Sequence, residues 1–238
     1  MAKHYGNQSQ YLKKRIELEY YLQIGIIFVL GFGLGCLLKS LTLDVDTSLV
    51  SLISISIVAF IATIFLGSIA SRFFIKSKID EQKFQKGLKG EGKVYFTLNK
   101  LNNDYTVFQD IVLGEFGNID FVVTGPTGVL AVEVKNISGK IETTQDENNL
   151  IINGKELPFN PLNQTYAGAK ELEKVVNQPV TPVVVFSGKV KLHFGYNKVK
   201  GVYVIGLKWL LDLVKKTHQQ LSAAEVKRIE NVVKEFVS

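Results

Sequence analysis

Two long uncharged runs near the N-terminus constrain this chain more than any other feature of its sequence. Residues 20–38, YYLQIGIIFVLGFGLGCLL, and residues 49–71, LVSLISISIVAFIATIFLGSIAS, contain no Asp, Glu, Lys or Arg. A helix needs roughly 20 apolar residues to cross the hydrocarbon core of a bilayer. A short polar segment, residues 39–48, joins the two runs. The pattern therefore predicts a transmembrane helical hairpin, and residues 1–79 are assigned as a membrane anchor.

Basic residues on the outer sides of the two runs predict the orientation of this anchor. The basic residues that flank the pair of runs are Lys3, Lys13, Lys14, Arg15, Arg72, Lys76 and Lys78. The connecting segment holds only Lys39 against Asp44 and Asp46. Because basic flanks stay on the cytoplasmic side, both termini are expected in the cytoplasm, with the protein resident in the cell membrane.

The apolar runs have one alternative interpretation and one further feature. A cleaved signal peptide fits the first run poorly, because Glu17 and Glu19 precede it and a second run follows at once. Gly31 and Gly35 have the spacing that lets two membrane helices approach closely, which would allow a homo-oligomer.

The overall composition narrows the classes of partner and site. A formal net charge of +6 permits an anionic partner, either nucleic acid or an anionic membrane face, and charge alone does not choose between them. The single cysteine, Cys36, excludes an intrachain disulfide framework and a Cys-rich zinc site.

Residues 80–238 are predicted to form one cytoplasmic domain of mixed α/β structure. Apolar periodicity and turn residues indicate a helix, several strands, a helix, two strands and two final helices, an order that favours a mixed sheet with helices on both faces. The predicted helices are 80–101, one that starts at Asn160-Pro161, 208–217 and 222–237. The predicted strands are 105–113, 118–124, 129–136, 139–143, 181–188 and 200–207, with a hairpin at 149–157.

Charged residues interrupt two of the predicted strands, in NIDFVVTGPTGVLAVEVKN at 118–136. Side chains alternate between the two faces of a strand, so Glu133 and Lys135 point the same way. If the GPTG sequence closes the hairpin with Thr124 opposite Val129, Asp120 lies directly opposite Glu133. A slip of one residue would place these acids on opposite faces, so the register is a firm prediction.

A third acid, Glu91, falls on the buried stripe of the first helix. Leu88, Tyr95 and Leu98 recur on this stripe at helical spacing. Several glycines surround Glu91 and leave room for a close approach: Gly87, Gly90 and Gly92. The alternative is a glutamate at the edge of the stripe that pairs with a lysine.

Two carboxylates directly opposed on a sheet repel each other. Protonation of one acid removes the repulsion, and so does a divalent cation between them. Oxygen ligands on a rigid scaffold suit Mg²⁺ or Mn²⁺. A simple Glu133–Lys135 pair at a strand end is the structural alternative, and it leaves Asp120 unexplained.

The order of these motifs resembles the PD-(D/E)xK nuclease core, in which an acid on a helix precedes an acid on one strand and an ExK motif on the next. Within that superfamily, KGLKGEGKVYFTLNKL and GNIDFVVTGPTGVLAVEVKNISGKI resemble the nuclease-related domain, NERD, over about residues 85–188. The resemblance implies an α/β/α sandwich on a mixed central sheet. Ile119 stands where the superfamily name has proline, a change that leaves the acid in place.

The resemblance also implies roles for individual residues. Metal ligation is implied for Asp120 and Glu133, with help from the backbone carbonyl of Val134. The implied catalytic residues are Glu91, Asp120, Glu133, Lys135 and Gln164.

The role of Gln164 rests mainly on the sequence NPLNQT at 160–165, which resembles the next motif of the family. The helical pattern supports it less, because Leu162, Tyr166 and Ala169 define the buried side and Gln164 points away from them.

The sequence therefore predicts a membrane-anchored, Mg²⁺- or Mn²⁺-dependent nuclease-like protein that hydrolyses phosphodiester bonds. Its expected partners are nucleic acid and the lipid bilayer. DNA is the expected nucleic acid, and it is bound with weak sequence specificity. The alternative is a catalytically silent nuclease fold that serves as a binding or scaffolding module at the cytoplasmic face of the membrane.

Overall fold

A computed structural model describes residues 1–5, 21, 24, 31, 78, 80–113, 118–157, 159–193, 198–216 and 219–237. The chain divides into two compact units, one of Met1–Gln10 with Gln85–Ser238 and the other of Tyr11–Phe84. The N-terminal residues thus belong with the C-terminal domain, whereas the sequence grouped them with the anchor.

The predicted membrane runs 20–38 and 49–71 lie outside the described residues, apart from Tyr21, Ile24 and Gly31. Among the residues that the structure does describe, no helix combines the length and the apolar character that a membrane crossing requires.

The larger unit contains eleven strands in its described part. In chain order they are β1 Lys3–Tyr5, β2 Thr106–Val112, β3 Asn118–Gly125, β4 Gly128–Lys135, β5 Gly139–Thr143, β6 Leu150–Ile152, β7 Lys155–Glu156, β8 Val180–Phe186, β9 Val190–Leu192, β10 Lys198–Val199 and β11 Val202–Gly206. The helices are α1 at 80–98, α2 Pro161–Val176, α3 Leu210–Lys216 and α4 Ala223–Lys234, with a 3₁₀ turn at Leu207–Trp209 before α3.

Seven of the described strands form a central sheet in the order β1-β2-β3-β4-β8-β11-β10. The strands β2, β3 and β4 pair antiparallel, whereas β4, β8 and β11 pair parallel. The sheet is therefore mixed, as the sequence predicted. Strands β7-β6-β5-β9 form a second, smaller sheet.

Helices cover both faces of the central sheet. On one face, Val94 and Leu98 of α1 and Leu213 of α3 pack on the buried side chains of β3, β4 and β8. On the other, Leu172 of α2 and Ile229 of α4 pack on β2 and β4. This arrangement agrees with the α/β nuclease-like fold that the resemblance implied.

Local sequence signals explain where several elements begin. The side chain of Asn160 accepts hydrogen bonds from the backbone N–H groups of Leu162 and Asn163, and Pro161 occupies the first turn of α2. Ser222 and Glu225 form the capping box of α4.

Turn residues fix two of the hairpins. Asn153 and Gly154 have φ values of 52° and 77°, which matches the two-residue turn predicted between β6 and β7. The β3–β4 turn is tighter than the GPTG sequence suggested, because Gly125 pairs with Gly128 and only Pro126 and Thr127 lie between them.

Candidate active site

The β3–β4 hairpin has the register that the sequence predicted. Thr124 pairs with Val129, and the same ladder continues along both strands. The ladder ends at the pair Phe121–Val132, and Asp120 and Glu133 are the next residues on the two strands. The two acids therefore lie together near the end of the hairpin that is remote from its turn.

Asp120 makes a hydrogen bond across the hairpin. Its Oδ2 accepts from the backbone N–H of Val134 at 2.6 Å. Burial raises the pKa of Asp120 well above its ordinary value, and the charges of Glu133 and Glu91 act in the same direction. The Val134 N–H and the Lys135 ammonium oppose this shift. Asp120 thus lies in a place that disfavours an uncompensated negative charge.

Glu133 and Lys135 form an ion pair on the same strand face. Glu133 is 6% exposed, and its Oε1 lies 2.5 Å from Lys135 Nζ. Burial raises the pKa of Glu133, and Lys135 partly offsets the shift through its charge and its hydrogen bond. A buried carboxylate needs such a partner to remain ionised.

Glu91 faces the same cluster from α1. Burial raises its pKa to about 7, and the charges of Asp110 and Glu133 add to the effect while that of Lys135 opposes it. The structure therefore brings the helix acid within electrostatic range of both strand acids, as the sequence predicted.

Close packing at Gly90 fixes the position of α1 beside the strand ends. A Cβ at Gly90 would lie 2.7 Å from Asn136 Cβ and 2.8 Å from Ser187 Oγ. The amide of Asn136 donates to a backbone carbonyl of α1 at 2.7 Å, and Lys93 Nζ donates to the carbonyl of Ser187 at 3.2 Å. Only glycine permits this approach.

Comparison with known families agrees with this geometry. Residues 86–187 match the family model of NERD, the nuclease-related domain. A nuclease-related domain is thus found at residues 86–187, which is less than half of the chain. The matched range extends from α1 past the end of β8 and includes every residue discussed above. Neither the curated proteins nor the solved structures include a match to the chain.

Gln164 lies on the exposed side of α2 and borders a cleft of the NERD domain. The cleft is small, and Glu133 and Thr165 also line it. The sequence placed Tyr166 on the buried stripe of α2, and this was wrong. Tyr166 is 45% exposed, and Thr165 is buried in its place. The Thr165 hydroxyl donates to the carbonyl of Pro161 at 2.7 Å, so this buried polar group has a hydrogen-bond partner.

Asp110 is a further acid of this region, to which sequence reasoning gave no role. Gln109 pairs with Phe121 and Ile111 with Ile119, so Asp110 lies opposite Asp120 on β2. Its φ of 51° is left-handed, a conformation that aspartate adopts more readily than most residues. An acid within an apolar strand was the available signal, the same one that marked Asp120.

Phe159 is a second residue that the sequence did not indicate. Its ring centroid lies 5.0 Å from Lys135 Nζ, within the range of a cation–π contact. The side chain is nevertheless 45% exposed. The lysine of the ExK motif therefore lies between a carboxylate and an exposed aromatic ring.

The donor atoms suit a hard cation, although the cluster is not a complete metal site. Within the described ranges, no group of three or more His, Cys, Asp or Glu side chains is arranged to hold a metal ion. The contacts above use Oδ2 of Asp120 and Oε1 of Glu133, which leaves one oxygen of each carboxylate outside them. Because burial disfavours both charged forms, a divalent cation would stabilise the ionised pair.

Proposed function

We propose that the NERD domain hydrolyses the phosphodiester bonds of nucleic acid with weak sequence specificity, and that DNA is its substrate. One observation carries the proposal: the acids Asp120 and Glu133 lie close together at the end of the β3–β4 hairpin, beside the amine of Lys135. Burial raises the pKa of both carboxyl groups, which is the arrangement that a divalent cation would stabilise.

Asp120 and Glu133, with the carbonyl of Val134, would hold Mg²⁺ or Mn²⁺. The N–H and C=O of one strand residue point to the same side, so the Val134 carbonyl faces β3 as its N–H does. When bound, such an ion supplies a water of lowered pKa and offsets negative charge on a phosphate.

The remaining side chains provide positioning and charge. Lys135 is ion-paired with Glu133 and would donate hydrogen bonds to a phosphate oxygen, where negative charge develops during cleavage. Glu91 carries a proton below about pH 7 and would lose it above that pH, which adds negative charge next to the strand acids. Gln164, at the rim of the cleft, would orient the substrate.

Cleavage of circular DNA by the full chain in detergent tests the proposal, with duplex plasmid and single-stranded circles as parallel substrates. We expect Mg²⁺- or Mn²⁺-dependent nicking, and at least a hundred-fold loss of rate in Lys135→Ala, a typical cost of removing one charge-stabilising group. Lys140→Ala is the matched control, because Lys140 also pairs with a glutamate two residues away, at 2.7 Å from Glu142. Equal rates in the two variants would refute the assignment.

The alternative function is a silent binding or scaffolding module, and one observation favours it. The Glu133 carboxylate already has Lys135 as a partner, and Asp120 already accepts a backbone hydrogen bond, so the cluster is held together without a cation. Under this alternative the full chain slows the migration of plasmid in a gel-shift assay and leaves the plasmid uncut with either metal.

We also propose that the chain is anchored in the cell membrane with its NERD domain in the cytoplasm. The two uncharged runs of the sequence support this location. One compact unit contains both Met1–Gln10 and Gln85–Ser238, which supports two spans over a single one. Carbonate extraction of membranes that contain the full chain tests the anchor; release into the supernatant contradicts it.

A further inference from the structure

The exposed ring of Phe159 is placed where it would meet the substrate of the proposed hydrolase. It lies 5.0 Å from Lys135 Nζ, and Lys135 is itself ion-paired with Glu133. An aromatic side chain with 45% of its surface exposed lies outside the packed core. Because the ring lies next to the proposed reaction centre, its exposed surface could contact a bound substrate.

The residue that follows Phe159 is held in place by α2 and by a contact with the loop at Asn148. This residue, Asn160, caps α2 and donates through its Nδ2 to the carbonyl of Asn148 at 2.7 Å. A ring on a fixed backbone loses little conformational entropy when a ligand stacks on it. Phe159 is therefore suited to act as a binding platform.

Basic and aromatic side chains continue from Phe159 along the start of α2. Lys200 Nζ lies 3.3 Å from Oδ1 of Asn163, in the first turn of the helix. Tyr166, one turn further on, has ring atoms 3.7 Å from the position of a Cβ at Gly201. The turn at Lys200 and Gly201 is exposed, with φ values of 53° and 80°. Cations that alternate with exposed aromatic rings are typical of surfaces that bind single-stranded nucleic acid.

We propose that Phe159 stacks on an unpaired base and that the NERD domain takes single-stranded nucleic acid at this surface. Stacking on the ring requires a base whose face is free, and the bases inside a duplex already cover one another. The proposal rests on the proposed function for the identity of the site and adds the strandedness of its substrate. Phe159 is a specificity-determining residue in this account.

Binding of fluorescent single-stranded oligonucleotides tests this inference. Anisotropy is measured with the full chain in detergent and EDTA, so that no cleavage is needed. Phe159→Ala is expected to weaken binding about five- to a hundred-fold, the usual effect of losing one stacked base, and Phe159→Trp to retain it. A blunt duplex of two complementary strands is expected to bind Phe159→Ala and wild type alike.

Phe96→Ala is the matched control, because Phe96 is 70% exposed on α1. Unchanged binding of single strands by Phe159→Ala would overturn the inference, and so would an equal loss for single strands and duplex. DNA and RNA strands form separate arms that identify the sugar. The two proposals fail in different ways. A chain that binds single strands through Phe159 but cuts no nucleic acid when metal is added contradicts the proposed hydrolysis and leaves the binding inference standing.

Discussion

The tight approach at Gly90 gives a prediction whose size follows from the structure. In Gly90→Ala, the new Cβ would lie 2.7 Å from Asn136 Cβ and 2.8 Å from Ser187 Oγ, so α1 or the strand ends have to move. Overpacking of this kind costs about 1–3 kcal/mol, and alanine returns about 1 kcal/mol through its helix propensity. The variant should therefore lose up to about 2 kcal/mol.

Gly87→Ala is the matched control on the same helix. Its Cβ would have Glu91 Oε1 at 4.0 Å as its nearest neighbour, so only the helix-propensity gain of about 1 kcal/mol remains. The two variants should differ by about 1–3 kcal/mol, which is roughly 2–4 °C of melting temperature per kcal/mol for a domain of this size.

Trp209 provides the assay, because it is the single tryptophan of the chain and lies in the larger unit. Thermal unfolding followed by its fluorescence should give Gly90→Ala the lowest melting temperature and Gly87→Ala the highest. Equal melting temperatures in the two variants would refute the close approach. If the approach also positions Glu91, metal-dependent cleavage falls in Gly90→Ala and persists in Gly87→Ala.

Two further predictions concern pH and the N-terminal strand. Between pH 4.5 and about 7, folded Glu91 keeps a proton that the unfolded chain has released, so the free energy of unfolding of the metal-free protein falls as pH rises, by at most about 3 kcal/mol. Glu91→Gln should flatten this slope in melts at a series of pH values, and an unchanged slope contradicts the buried acid. Tyr5 stacks on Phe108 at 5.4 Å, so Tyr5→Ala should cost about 1–3 kcal/mol in the same melts. The exposed Lys3→Ala should cost little, and equal losses would show that β1 does not dock.

Local patterns were sufficient to predict the register of the β3–β4 hairpin. Alternation along β4 and the glycines of the β3–β4 turn determine a register that pairs Thr124 with Val129 and continues to Phe121 and Val132. A hairpin is a contact between neighbours in sequence, so its geometry depends on few residues. The cap at Asn160 and the turn at Asn153 were predicted for the same reason.

The features that the sequence did not reveal depend on distant contacts. Strand β1 consists of three residues that pair with β2, about a hundred positions later in the chain, and no short pattern indicates such a partner. Strand β9 is a similar case, because it pairs with β5 in a distant part of the sequence. Strand β10 is a local contact with β11, and its two residues are too few to form a pattern. The left-handed backbone at Asp110 and the contact between Phe159 and Lys135 both arise from tertiary packing.

Calorimetric titration of Mn²⁺ into the full chain tests the central claim, that Asp120 and Glu133 form a cation site, most directly. We predict one saturable site at pH 8 in the wild type and its loss in Asp120→Asn, a change that keeps an oxygen to accept the Val134 hydrogen bond. Asp212→Asn, at an exposed pair with Lys216, should bind as the wild type does. Absence of saturable binding, or equal binding by Asp120→Asn, would contradict the claim.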